Sequence, residues 1–345
     1  MRGFLGAISL IYLLCLCEAL ISGLNVKGRG RNGHGLKMQI SVMVNGVPGP
    51  MAVAVAEACL DKGFNIVPMA FTGPQIRANE IIIRGKERTQ WVELVAGPGH
   101  NSDASAKLAN LKSNYPDLII VDYTHPSAVT NNIKCYVEND ADFVMGTTGG
   151  DPKEINPILD QAKSIAVIAP NMAKQIVALQ ATLKEMAARY PRSFEGYSLT
   201  VTESHQRKKA DTSGTAKAVV AHLVDLNGGN FDEAFNSIVK LRTKEDSMKF
   251  GVPEEFIDAG HAFHTYHMES PDGTVNFELQ HNVCGRRVYA EGTADAVAFV
   301  ADQQNVIKNA SRKRYIFKRL WNRLSGKTTK RIFDMIDILE AEKMK

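Results

Sequence analysis

The sequence predicts an α/β protein, a Rossmann-type dinucleotide-binding domain with a second α+β domain. Three observations lead there. Short, largely apolar runs recur at 38–44, 64–70, 118–121, 143–145 and 164–168, the pattern of strands buried on both faces of a parallel sheet. Helical stretches separate most of them, as βαβ crossovers require. Finally, 345 residues exceed one ordinary domain and suggest roughly two, and the runs after residue 198 alternate instead of being continuous.

Composition narrows the function. A hydrophobic fraction of 44% with 23% charged residues belongs to a folded chain, not a disordered one. The net charge of +4 is uneven: residues 1–37 carry +4 and residues 308–331 carry +10, leaving −10 for the rest. An acidic body argues against nucleic-acid binding. Cys15 and Cys17 lie in an apolar run, and Cys59, Cys135 and Cys284 are far apart without CxxC spacing. Neither a disulfide framework nor a zinc site is expected.

Residues 1–37 read as a targeting segment. Arg2, an apolar run from Phe4 to Cys17 and small residues near Ala19–Gly23 make a signal peptide. The basic, Gly-rich stretch 25–37 is transit-like. A signal followed by a transit segment suits a plastid (chloroplast) wrapped in extra membranes; the alternative is the secretory pathway. No stable membrane insertion of the mature protein is expected.

In chain order, Met38–Val44 is a buried strand, 52–62 a helix closed by Gly63, and 64–70 a second strand. The turn between the first strand and helix holds Gly46, Val47, Pro48, Gly49, Pro50 and Met51. Glycines there allow close approach to a pyrophosphate at the helix N-terminus. The second strand ends without the acid that binds a ribose 2′-hydroxyl; Thr72 and Arg77 are candidates for a 2′-phosphate, which favours NADPH over NADH. Trp91–Val95 reads as a strand near an edge and 103–114 as a helix. Three further strands end in Asp122-Tyr-Thr-His-Pro126, Gly146-Thr147-Thr148-Gly-Gly150 and Ala169-Pro170-Asn171. Repetition of such ends at the C-terminal edge of a parallel sheet marks a ligand crevice.

In the second half, 175–189 is an amphipathic helix and 198–202 a strand delivering the segment 203–217. That segment joins an imidazole (His205), ammonium groups (Lys208, Lys209) and a Ser213-Gly214-Thr215 turn opening a helix over 215–226: an acid, a cation and an anion cradle for a small, doubly charged acid. A helix over 231–242 and strands over 261–267, 274–280 and 287–289 follow. His261, His264 and His267 do not converge on a metal, because a period of two turns His264 away from the others; no metal is expected. A helix over 292–301, a basic stretch and an apolar tail at 332–339 complete the chain.

Phe143–Gly150, Glu203-Ser-His-Gln206, Asp211–Lys217 and Gln280-His-Asn-Val-Cys-Gly-Arg286 together resemble the signatures of the 4-hydroxy-tetrahydrodipicolinate (dihydrodipicolinate) reductase family, in its plant-type branch. The resemblance implies a dinucleotide-binding domain from 38–172 plus 287–345 and a substrate and oligomerisation domain from 173–286; the basic insertion about 305–331 has no counterpart in it. It implies hydride transfer from NADPH, or NADH, to the dehydrated form of a small cyclic dicarboxylate, in the diaminopimelate route to lysine, by a homo-oligomer. His205 aligns with the proton donor and Lys209 with the companion lysine. Gln206, Gly214 and Thr215 align with substrate contacts, and 46–51, 146–148 and 169–172 (Ala169, Pro170, Asn171, Met172) with cofactor contacts. Gln206 stands where bacterial members often carry a second His, and Ala52 and Pro50 depart from the usual fingerprint. A non-catalytic NADPH-binding scaffold, or a Rossmann dehydrogenase acting on aspartate or homoserine, are the alternatives.

Overall fold

The structure is a computed structural model that describes residues 39–207, 209, 211–317 and 330–342. The targeting segment 1–37, Lys208 and residues 318–329 of the basic insertion lie outside them. The described residues form one compact unit.

A parallel sheet begins with β1 (Ser41–Asn45), followed by α1 (Pro50–Asp61) and the short β2 (Asn65–Ile66). The expected strand over 64–70 is in fact two. The Val67 N–H still bonds the Val42 carbonyl at 2.9 Å, but Pro68 has no N–H to continue the ladder. The chain then steps to β3 (Met69–Thr72) in a separate sheet. There β3 pairs in parallel with β5 (Thr89–Ala96), which pairs antiparallel with β4 (Glu80–Arg84). The Trp91–Val95 strand is thus central in its small sheet, not an edge.

Next come α2 (Ala104–Asn114), β6 (Ile119–Asp122), α3 (Val129–Glu138), β7 (Asp142–Met145), α4 (Pro152–Asp160) and β8 (Ala166–Ile168). The fully parallel large sheet is closed by the tail strand β13 (Ile332–Phe333), giving the order β13-β8-β7-β6-β1-β2. Its strands are buried on both faces; Val42, Met43, Ile119, Ile120, Phe143 and Val144 are all 0% exposed.

The second half holds α5 (Lys174–Arg189), β9 (Ser198–His205), α6 (Gly214–Asn227), α7 (Phe231–Asn236), β10 (Val239–Leu241), α8 (Lys244–Lys249), α9 (Phe256–Ala259), β11 (His261–Glu269) and β12 (Asn276–Cys284). The strands form a mixed sheet in the order β10-β9-β11-β12. Two expectations fail here. The helix over 231–242 stops at Asn236, and β-branched Val239 starts a strand parallel to β9, as such side chains favour. Residues 287–289 begin a helix instead of a strand: Gly285, at φ +74°, turns the chain, and Ala290, Ala294, Val297 and Ala301 repeat a helical period buried on the large sheet's core. This is α10 (Arg287–Phe317). The tail helix α11 (Met335–Glu342) buries Met335 and Ile338 in the same core, as its apolar spacing predicts. Among the described residues no helix is long and apolar enough to cross a membrane.

Candidate active site

Strand register assembles one half of the site. Asn45, Asp122 and Met145 are successive partners across β1, β6 and β7, and Met145 pairs with Ile168 of β8. The next residues, Gly46, Tyr123, Gly146 and Ala169, therefore emerge side by side at the C-terminal edge. A buried polar network stiffens this row. Tyr136 Oη donates to Asp122 Oδ2 at 2.6 Å and accepts from Asn45 Nδ2 at 2.8 Å, while Asn132 Nδ2 donates to Asp122 at 2.9 Å. Burial, then the Asp122 carboxylate, pushes the Tyr136 hydroxyl up, so it stays a donor.

The turns fit a dinucleotide. Gly46 sits at φ +98°, and a Cβ there would lie 2.3 Å from the Tyr123 carbonyl; a Cβ on Gly49 would lie 2.7 Å from the Gly46 carbonyl. Only glycine lets the chain fold this closely. Helix α1 begins at Pro50 with no side-chain cap and no acidic residue in its first turn, so its N–H groups and dipole are available to an anion. A Cβ on Gly146 would strike the Tyr123 ring at 2.4 Å, so Tyr123 packs the two loops together. Thr147 Oγ1 donates to the Thr124 carbonyl at 3.0 Å. The residues called for the cofactor thus divide in kind. The side chains of Val47, Ala169 and Met172 are buried, whereas Pro48, Pro50, Thr148 and Pro170 are exposed.

The other half stands at the end of β9. Sequence placed the strand over 198–202 and the active stretch after it; the strand runs on to His205, so Glu203 and His205 share one sheet face. Glu203 is opposite His264 of β11. The His205 and His264 Nε2 atoms are 3.2 Å apart, with Glu203 Oε2 at 4.0 and 3.8 Å from them. All three are buried.

Arg242, at the end of β10, fastens this group. Its Nη2 pairs with Glu203 Oε1, its Nε donates to the Lys209 carbonyl at 2.7 Å, and Nη2 also reaches the Asp211 carbonyl at 3.3 Å. The Ser213 N–H donates to Glu203 Oε2 at 3.0 Å. One buried carboxylate therefore ties the head of α6 to the strand end. Lys209 ion-pairs with Asp211 at 2.9 Å. Burial first, then the Arg242 and Lys209 charges, lowers His205 to about 3; burial, then His281 and His205, lowers His264 to about 2. Both imidazoles are neutral near pH 7.

The two halves meet. Asn171 Nδ2, from the loop after β8, donates to Thr215 Oγ1 at the start of α6 at 3.2 Å. Gly214 has open space around it. Gln206 lies beside Gly260 and Arg286: a Cβ on Gly260 would be 3.0 Å from Gln206 Nε2. A groove of about 560 Å³ between α1 and α10 is lined by Pro50 and Arg286 but by none of Glu203, His205, Lys209, Gly214, Thr215 and His264.

Sequence reasoning did not find Arg242 or His264. Arg242 was hidden in a supposed helix, although Val239-Lys-Leu241 alternates. His264 was weighed only against histidines of its own strand, whereas its neighbour is across the sheet.

Comparison with known proteins places residues 40–172 under the model "Dihydrodipicolinate reductase, N-terminus" and 176–312 under "Dihydrodipicolinate reductase, C-terminus". The chain is 43% identical over 307 residues to 4-hydroxy-tetrahydrodipicolinate reductase 1, chloroplastic, of Arabidopsis thaliana, covering 89% of this chain and 79% of that one. It is 38% identical over 310 residues to a probable chloroplastic reductase of the same name from Oryza sativa subsp. japonica, covering 90% and 81%. A dipicolinate-bound dihydrodipicolinate reductase from Paenisporosarcina sp. TG-14 shares the fold at a TM-score of 0.52 and 18% identity, covering 77% of this chain and 96% of that one.

Proposed function

Because the chain belongs to the dihydrodipicolinate reductase family, we propose that the crevice between the β1, β7 and β8 turns and the β9–α6 segment reduces a cyclic dicarboxylate. The chain is a 4-hydroxy-tetrahydrodipicolinate reductase of lysine biosynthesis and uses a pyridine nucleotide. The reaction takes the dehydrated substrate to tetrahydrodipicolinate. The observation that carries the site assignment is the 3.2 Å hydrogen bond from Asn171 to Thr215, which joins the nucleotide edge to the anion cradle.

When bound, the nucleotide supplies a hydride. The chain's own residues bind, orient and protonate. In this reading residues 38–172 with 287–345 hold the cofactor and 173–286 the substrate. The α1 N-terminus and the turn Gly46–Met51 hold the pyrophosphate; Gly146–Thr148 and Ala169–Met172 border the nicotinamide. Gly214 and Thr215 present a backbone N–H and a hydroxyl to one carboxylate, and Gln206 hydrogen-bonds the substrate. Lys209 neutralises negative charge. His205 is the acid. Alone it is neutral, but two substrate carboxylates offset Arg242 and Lys209 and raise its proton affinity, so it takes up its proton with the substrate. NADPH is the favoured cofactor: β3 ends in Thr72 with no acidic residue before Gly73. The working form is a homo-oligomer in the plastid, the compartment named for the plant relatives.

The test is oxidation of NADPH or NADH by the purified chain on adding the product of the upstream synthase. Substrate-dependent oxidation, faster with NADPH, is expected. Oxidation without that product, or only with aspartate semialdehyde-type or homoserine substrates, would reject the reading.

A further inference from the structure

Glu203, His205 and His264 bring three potential metal-ligand atoms within 4.8 Å of one another. Between the two Nε2 atoms, 3.2 Å apart, one proton at most can sit. Glu203 Oε2, at 3.8 and 4.0 Å, is beyond hydrogen-bond reach of either. The three atoms nevertheless form a compact triangle. A tetrahedral zinc with bonds of about 2.0–2.2 Å separates its N and O ligands by roughly 3.3–3.5 Å, so contractions of a few tenths of an ångström bring the carboxylate corner to that figure.

We propose that Glu203, His205 and His264 form a binding site for a divalent cation of the zinc class, and that its occupation inhibits the enzyme. The ligand set, two imidazoles and one carboxylate, is that of zinc sites that keep one position open. It is unsuited to calcium or magnesium, which take six or more oxygens or several waters. The carboxylate is held in place before the metal arrives: the Ser213 N–H and the Arg242 guanidinium fix its two oxygens, as outer-shell partners do at metal centres. Both imidazoles are neutral at pH 7, so neither has to give up a charge; the proton shared between the two Nε2 atoms shifts to an Nδ1 when both ligate. Arg242 and Lys209 oppose a dication, which limits affinity. The same two cations favour an anion, so substrate and metal compete. With the metal bound, the His205 lone pair is occupied and cannot carry the proton.

The binding half does not depend on the reaction proposed above; the inhibition half does. The experiment uses the full chain without substrate, and Co²⁺ as the probe. Four-coordinate Co²⁺ absorbs visible light far more strongly than the hexa-aqua ion. One equivalent of such a species per chain, displaced by Zn²⁺, is expected. It should be lost in His264→Asn and, as a second variant, in His205→Gln, with folding of each checked by circular dichroism. Zn²⁺ should inhibit the wild type competitively with the dicarboxylate. Absence of the strong cobalt spectrum, or its persistence in both folded variants, overturns the proposal. Reductase activity without cobalt binding rejects this inference alone, whereas cobalt binding without reductase activity rejects the functional reading.

Discussion

Asn171 donates from Nδ2 to Thr215 Oγ1 at 3.2 Å while its own Oδ1 accepts the Ala173 N–H at 2.9 Å. One side chain therefore shapes the loop after β8 and holds it against the head of α6. Neutral hydrogen bonds contribute about 0.5–1.5 kcal/mol each. Asn171→Ala should lower kcat/KM roughly 10- to 30-fold and raise KM for both substrates, measured by steady-state kinetics with each varied in turn.

Gly46 and Gly63 both have positive φ, +98° and +85°, but a Cβ on Gly46 meets the Tyr123 carbonyl at 2.3 Å whereas Gly63 has nothing within 4 Å. Gly63→Ala pays left-handed strain alone, about 1–2 kcal/mol. Gly46→Ala must also displace β6's exit from the nucleotide edge. It should weaken cofactor binding at least tenfold by titration calorimetry, with Gly63→Ala leaving the Kd within about twofold.

Glu203 is fully buried and its carboxylate is paired with Arg242. Removing one member of a buried pair leaves a charge without compensation, at a cost of about 3–5 kcal/mol. Arg242→Met should lower the urea midpoint accordingly. It should also depress kcat, because Arg242 holds the Lys209 and Asp211 carbonyls and so positions the loop that carries Lys209. Arg242→Lys should recover part of the stability and little of the kcat, since an ammonium cannot reproduce the planar fork.

His205 and His264 are lowered from 6.5 to about 3 and about 2 on folding. Between those values and 6.5 the unfolded chain binds more protons than the folded one, so stability rises with pH there. The contribution is complete above about pH 6.5 and is lost as pH falls toward 3. Urea midpoints should therefore decline below pH 6.5, and the decline should be shallower in His264→Asn. An equal slope in the variant would show that His264 does not titrate this way.

Much of the fold was legible because its signals are local. Continuous apolar runs with Gly-rich ends betray parallel strands, so β1, β6, β7 and β8 and their turns were found. What was missed depended on distant partners. Pro68 splits a plausible strand only because β5 waits in another sheet. Val239–Leu241 is a strand only beside β9. The site followed the same division. His205, Lys209, Gly214 and Thr215 lie in one contiguous stretch and resemble a family signature, whereas Arg242 and His264 join it only through the register of β10 and β11. The low proton affinity of His205 is likewise a product of packing and of Arg242.

The central claim is that His205 delivers the proton at a site which the cofactor reaches from the other side. It is tested most directly by turnover of His205→Ala at saturating dicarboxylate, with cofactor affinity measured in parallel. Loss of general-acid catalysis should lower kcat about 10²- to 10⁴-fold with the cofactor Kd unchanged within about twofold. Near-wild-type turnover in His205→Ala would contradict the account.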